Sequence, residues 1–274
     1  MRGTEGTTTG GNVAEFRRSR TVPEIEVRRS CQENSCYRPH AHDAFSIGLI
    51  DAGTSVLASP LDGVVHLVPG DVVVIPSGQV HDCNPDRGQW LYQMTHLDHE
   101  WTNRLSPRGK ADRLFSGVSV YRRADLYAQM SDLSEMVFAD ETQEKIESGF
   151  AALFRRLDAV APAHRAPSES DPVLLSRLRP VIERLRTDEV NPTLAELAEL
   201  VDLSPSQLER AMKRATGLAP LAWRQNARIN QARQMLRDGR PIADTAHALG
   251  FVDQSHFHRV FRAHVAASPG TYRG

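Results

Sequence analysis

Cysteine is scarce in this chain: Cys31, Cys36 and Cys83 are the only three among 274 residues, and no two are spaced as CxxC. An odd count without that spacing excludes a disulfide framework and a zinc ribbon, and points to reduced thiols. Long apolar runs are missing as well. No stretch approaches the ~18 residues that span a bilayer, so no membrane partner is expected. The opening MRGTEGTTTGG lacks the apolar core of a signal peptide, and residues 1–20 read as a disordered start. A cytoplasmic location is the simplest expectation. Nor is there an excess of one charge, since the formal net charge is −1. Its placement is uneven, however. From Asp171 onward there are 15 Lys and Arg against 11 Asp and Glu, and before that point 18 against 23. A basic end behind an acidic region is the pattern of a chain whose last third meets a polyanion.

What is present divides the chain into an α+β multidomain protein. The length exceeds what one compact core usually takes and suits two domains. Over residues 21–105 short apolar runs (FSIGLI, TSVLA, VVHLV, DVVVIP, WLYQMTHL) alternate with Gly, Pro and Asp turns, the pattern of a β domain. Residues 106–160 change to a helical period. Leu126, Met130, Leu133 and Val137 form one stripe, and Ile146, Phe150, Leu153 and Leu157 another; both are candidate dimer seams, and the stripe on Leu126 and Met130 could equally pack on the barrel. Residues 161–171 are rich in Pro and Ser and read as a linker. Everything from 172 to 274 has a helical period.

TLAELAELVDLSPSQLERAMKRATG, residues 193–217, reads as helix, tight turn, helix. Leu194, Leu197, Ala198 and Val201 bury the first helix. Asp202 and Leu203 turn the chain, Ser204 caps the second helix, and Pro205 sits where its missing N–H costs nothing. Leu208, Ala211 and Met212 face inward, leaving Ser206, Gln207, Glu209, Arg210, Lys213 and Arg214 outside. Glu209 is expected to pair with Lys213 one turn on. The unit recurs over residues 242–265, with Phe257 over Leu208, Arg259 over Arg210 and Phe261 over Met212. Gly250 supplies the turn and Asp253 the cap. Gln254, Ser255, His258, Arg259 and Arg262 lie on the exposed side. One such unit could be an ordinary helical hairpin. Two, with Arg at the same place in each second helix, describe a pair of helix-turn-helix motifs joined by a rigid helix.

The doublet closely resembles the AraC/XylS family of bacterial transcription regulators over residues 172–274, most specifically in ALGFVDQSHFHRVFRAHVAASPGTYR. One departure is Ala266, where the family usually has Gly. The resemblance implies two recognition helices in successive major grooves of promoter DNA. Ser206, Gln207, Arg210, Gln254, Ser255 and Arg259 would then face the bases, Arg suiting guanine and Gln adenine. Lys213, Arg214 and Arg262 would neutralise phosphate.

In the β region PGDVVVIPSGQVH, residues 69–81, fits G-x5-P-x-G-x2-H through Gly70, Pro76, Gly78 and His81, and resembles the second motif of the cupin barrels. The first motif is partial: His40, His42 and Gly53 are there, while Ser46 stands where the metal-binding Glu normally falls and Asn34 where a leading Gly would. A cupin fold would bring His40, His42 and His81 together. They could hold Zn, Fe or Mn with an open position, line a metal-free effector pocket with Ser46 and Tyr92, or be satisfied core groups. Trp90, Tyr92 and Met94 alternate along one strand face. His96 and His99 could line the barrel mouth, but surface or strand-end placement is the stronger expectation. Two functions follow: a regulator, active on promoter DNA as a homodimer and controlled by a small-molecule effector, with no cofactor required; or a cupin metalloenzyme of dioxygenase or isomerase type with an accessory helical domain. The missing carboxylate and the double DNA-reading unit favour the regulator, which is not an enzyme.

Overall fold

A computed structural model describes residues 13–33, 37–59, 63–106, 112–115, 117–167, 171–188 and 190–274. Asn34, Cys36 and residues 1–12 lie outside them. The N-terminal half contains β1 (Val13–Arg18), β2 (Ile25–Glu33), β3 (Phe45–Ala52), β4 (Ser55–Ser59), β5 (Gly63–Leu67), β6 (Asp71–Ile75), β7 (Asp82–Pro85) and β8 (Gln89–Leu97). Then come α1 (His99–Leu105), α2 (Asp112–Phe115), β9 (Gly117–Arg122), α3 (Ala124–Phe138), α4 (Gln143–Ala159) and β10 (His164–Pro167). The strands form an antiparallel seven-stranded sheet, β1-β2-β8-β3-β6-β9-β10, and a three-stranded sheet, β5-β4-β7.

Strand parity explains the apolar runs. Phe45, Ile47 and Leu49 of β3, with Val72 and Val74 of β6, pack against α3 and α4. Ile50, Val73 and Ile75 face the other way and meet Leu57, Leu67, Trp90 and Tyr92 between the two sheets. A sheet buried on both faces has no polar side, so alternation disappears. At the β3–β4 turn Gly53 has φ +75°, and a Cβ there would sit 2.3 Å from the Gln89 carbonyl oxygen, so only glycine fits.

Four sequence expectations are corrected. Residues 13–18 are an edge strand on β2, because Phe16 packs edge-to-face on Tyr272 with ring centroids 5.0 Å apart. The segment 106–160 is not purely helical: β9 pairs with β6 and closes the sheet. Nor is 161–171 only a linker, since β10 pairs with β9 although its one buried apolar side chain is Ala166. Finally, both apolar stripes are consumed inside the chain. Leu126, Met130, Leu133, Ile146, Phe150 and Leu153 are all buried in one core against the sheet, so neither is a dimer seam.

The C-terminal half is all helical: α5 (Pro172–Thr187), α6 (Leu194–Glu199), α7 (Pro205–Thr216), α8 (Pro220–Arg237), α9 (Ile242–Ala248), α10 (Gln254–Val265) and α11 (Pro269–Arg273). It has two cores. Leu178, Val181, Leu197, Leu208 and Met212 make the first; Ile229, Leu236, Phe257, Phe261 and Tyr272 make the second. The long helix α8 carries the second core and touches the first through Trp223.

The two halves dock through an apolar contact of Ala41 and Val80 with Leu218 and Trp223, through Phe16 on Tyr272, and through polar groups. Asn226 accepts from the Ala41 N–H at 3.1 Å and donates to its carbonyl at 3.1 Å. Arg233 reaches Glu26 at 3.0 Å, and the Tyr272 hydroxyl donates to the same carboxylate at 2.7 Å. Arg18 donates to the Tyr272 carbonyl at 2.7 Å.

Candidate DNA-reading faces and effector pocket

Each helix-turn-helix is built by local chemistry. In the first, Thr193 and Glu196 form a capping box on α6, Asp202 turns the chain at φ +52°, and Ser204 caps α7 by accepting from the Gln207 N–H at 3.3 Å. In the second, Gly250 makes the turn at φ +68°, and Asp253 accepts from the His256 N–H at 2.6 Å. With α7 and α10 held by Leu208 and Phe257, the opposite faces are free. Ser206, Arg210 and Lys213 are exposed on α7; Gln254, Ser255, Arg259 and Arg262 are exposed on α10.

Four predicted residues are placed differently. Gln207 uses its side-chain oxygen to accept from the Ser204 N–H at 2.8 Å, closing a capping box and leaving its amide NH2 group to project. Arg214 lies 3.6 Å from the Asp171 carboxylate, so it is shared with the start of α5. His258 is half-buried, and its Nε2 is buried without a partner. Glu209 does not pair with Lys213 among the described residues; such a helix-surface pair is worth only about 0.3–0.5 kcal/mol.

At the end of the β domain facing α8 and α10 is a cavity of about 50 Å³. Its walls include Tyr37, His40, His42, His81, Tyr92 and His96 from the β domain, and Arg233, His264 and Val265 from the helical half. His40 and His81 face each other across an isolated bridge, His40 N–H to His81 carbonyl at 3.0 Å and the reverse at 2.9 Å. Tyr37 and Tyr92 share a hydroxyl–hydroxyl hydrogen bond. Ser46 does not line the cavity; it is buried behind it and bonds His96 Nδ1 at 2.8 Å. His96, the penultimate residue of β8, is therefore buried in the pocket wall at the strand's end, while His99 is exposed at the start of α1. The alternation of Trp90, Tyr92 and Met94 already contained the signal, for His96 is simply the next residue on that face.

Burial holds the His40, His42 and His96 rings well below the usual histidine range, reinforced for His42 by the neighbouring imidazoles and for His96 by Arg233. Burial, with the neighbouring Asp82 carboxylate adding to it and Ser55 opposing it, pushes the Cys83 thiol up to about 12. For Glu26 burial raises the carboxyl, but the Arg233 guanidinium, with His96 and Arg18, outweighs it and holds the group at about 2.

Neutral imidazoles are competent metal ligands, and one nitrogen from each of His40, His42 and His81 falls within 4.8 Å of the others. His40 and His81 donate from Nδ1 to the Arg38 and Gln79 carbonyls at 2.7 and 3.0 Å, which leaves each Nε2 lone pair free. His42 differs. A neutral imidazole has one in-plane lone pair, and Arg233 donates into it at 3.0 Å. With the domains docked, the set therefore offers two donors and not the three that a catalytic zinc site needs. The residues do not fit a resident metal in this arrangement.

The AraC-like ligand binding domain family matches residues 22–197, and the helix-turn-helix domain family matches residues 197–274. The chain belongs to the AraC family. It is 28% identical over 223 residues to the arabinose operon regulatory protein of Escherichia coli strain K12, covering 75% of this chain and 72% of that one. An uncharacterised regulator of Bacillus subtilis strain 168 is 29% identical over 226 residues, with 79% and 80% covered. Among solved structures, wild-type ToxT from Vibrio cholerae strain SCE256, determined with an unsaturated fatty acid bound, shares the fold with a TM-score of 0.60 at 13% identity, over 94% of this chain and 96% of that one.

This AraC-family chain is a sequence-specific DNA-binding transcription regulator with an effector-responsive N-terminal domain, and its relatives are regulators. No helix among the described residues is long and apolar enough to cross a membrane. Sequence patterns missed Glu26, Arg28, Arg233 and His264. Glu26 meets Arg233, and Arg28 the Val265 carbonyl, across the domain boundary at separations of 207 and 237 residues, and no local period encodes such a contact.

Proposed function

We propose that the effector of this AraC-family regulator is a small molecule seated in the histidine-lined cavity, without a resident metal, and that its occupancy sets how the DNA-binding half is held. One observation carries this: Arg233, His264 and Val265 of the DNA-binding half form part of the cavity wall. A ligand there contacts both halves at once, so it binds docked and undocked arrangements with different affinity, and only that difference can shift the balance. Promoter DNA is the target, and the protein acts in the cytoplasm. We also propose a homodimer, through a surface other than the two buried stripes, because a second tethered module raises DNA affinity without new contacts. Catalysis has no support from the pocket, whose histidine set lacks both a third free donor and a carboxylate.

The test compares DNA titrations of the full chain and of residues 172–274. The shorter fragment has two cores of its own and should bind DNA unaided, more weakly than a full-length dimer and without response to effector. Effector sensitivity in the isolated fragment, or turnover by the β domain, would overturn the assignment.

A further inference from the structure

The cavity contains a buried cation with no counter-ion. Arg28 is only 5% exposed, and among the described residues no carboxylate pairs with it. Its Nε donates to Ser30 at 2.5 Å and its Nη1 to the Val265 carbonyl at 2.5 Å. Nη2 is buried and has no partner. The guanidinium lies between two rings, 5.1 Å from the Phe16 centroid and 5.3 Å from that of Tyr92, which offsets part of its charge but satisfies no N–H. The second guanidinium in the wall, Arg233, is already satisfied by Glu26, Tyr272 and His42. Buried charges in folded proteins are paired, and a buried donor left unsatisfied is costly. Arg28 thus keeps one buried nitrogen that no described residue satisfies.

Size narrows the class. A cavity of about 50 Å³ accommodates about three to five water-sized positions, so a compact ligand fits without rearrangement whereas a fatty chain would have to extend out of it. Of the Tyr37 and Tyr92 hydroxyls, which bond each other, one keeps a free O–H, and His42, whose Nδ1 accepts from Arg233, carries its proton on Nε2; both can donate to an oxyanion without adding charge. We propose that the effector is a compact oxyanion of about four to six heavy atoms, such as a short-chain carboxylate, held by Arg28 Nη2. This rests on the effector-pocket reading above and names the ligand class for it. It also supplies a route to output. The guanidinium that takes the anion simultaneously holds the Val265 carbonyl, the last residue of the second recognition helix. A shift of Arg28 toward its ligand pulls on the end of α10.

The test uses the full-length protein with and without EDTA, probed with acetate, pyruvate, oxalate and phosphate. Acetamide serves as the neutral counterpart of acetate and L-arabinose as a neutral polyol. Trp90, stacked on Tyr92 at 4.2 Å in the wall, reports binding by fluorescence. At least one oxyanion should quench or shift Trp90, raise the melting temperature and change DNA affinity by roughly fivefold or more; acetamide should do neither. Arg28→Met should abolish the response and Arg28→Lys retain part of it. Should both variants fail to fold, the acetate–acetamide comparison on the unaltered protein still decides. Binding of arabinose but of no oxyanion would overturn the anion class and leave the effector pocket standing. Oxyanion binding that vanishes with EDTA would place the anion on a metal and overturn the role of Arg28. No binding by any oxyanion would overturn the proposal outright.

Discussion

Glu26→Gln is the sharpest single probe of domain docking. Glu26 lies in β2, 2% exposed, and its carboxylate receives Arg233 at 3.0 Å, Arg18 at 3.2 Å and the Tyr272 hydroxyl at 2.7 Å. Glutamine keeps the volume but removes the charge, leaving the Arg233 guanidinium, 7% exposed, without its carboxylate. Removing one partner of a buried pair costs about 3–5 kcal/mol, because the surviving charge is uncompensated. That is a large share of the roughly 5–15 kcal/mol that stabilises a typical domain. Here the loss falls on docking. Ile25 and Val27 of the same strand remain in the sheet–helix core, and the C-terminal half has its own two cores. Glu26→Gln should therefore separate one urea transition into two and speed proteolysis between residues 161 and 171. The double variant Glu26→Gln/Arg233→Met should recover about 1–3 kcal/mol relative to the sum of the singles. Strict additivity in that cycle, or an unchanged single transition in Glu26→Gln, would refute the argument.

Other outcomes follow from the same geometry. Arg210→Ala and Arg259→Ala should each weaken specific DNA binding by about 1–3 kcal/mol and relax base preference, measured by titration against operator variants. Lys213→Ala should weaken all sequences alike and reduce the salt slope by about one. Burial lowers the His40, His42 and His96 rings from 6.5, so the folded state binds fewer protons than the unfolded one. Their contribution is complete above pH 6.5 and is lost as pH falls, by about 1 kcal/mol per ring between pH 6.5 and 5.5, which denaturant midpoints will read. The Glu26 contribution is present above about pH 4.5 and disappears as pH falls toward about 2. Ala266→Gly should stabilise the protein by up to about 1 kcal/mol in thermal melts. Ala266 ends α10 at φ +49°, a left-handed position costing a non-glycine residue about 1–2 kcal/mol, of which glycine's greater unfolded freedom returns only part. EDTA should leave the melting temperature unchanged, since a metal that does not bind the native state adds no stability.

The C-terminal half was legible because its signals are local. Caps at Ser204 and Asp253, turns at Asp202 and Gly250, and the 3.6 period each act within one turn of helix. Even the departure at Ala266 marked a real backbone feature. The β domain was less legible at its margins. Val13–Arg18 and His164–Pro167 carry almost no strand pattern and become strands because a neighbouring edge and, for the first, Tyr272 receive them. The apolar stripes of α3 and α4 had two readings with identical periodicity, a dimer seam or the sheet's outer face, and only three-dimensional packing separates those. In the pocket, the motif histidines were visible and the residues that complete it were not. Arg28 and Arg233 look like ordinary surface cations in sequence, and burial on both sides of a domain boundary is what makes them distinctive.

That boundary also constrains how control works. Arg210, Lys213, Gln254, Arg259 and Arg262 are all exposed while the halves are docked. Docking therefore does not hide the DNA-reading faces, and an effector has nothing to uncover. What docking does hold is geometry. The β domain grips the middle of α8 at Asn226 and Asn230, its C-terminal part at Arg233, and the end of α10 at Val265. α8 joins the two reading units, so a grip along it fixes the angle at which α7 and α10 meet adjacent grooves. On the proposed reading, a cavity ligand that loosened or tightened Arg28 and Arg233 would change that angle's freedom, and with it the entropy lost when both units seat on DNA together. Coupling of this kind predicts that effector alters affinity for two adjacent half-sites far more than for one, because a single groove does not test the angle.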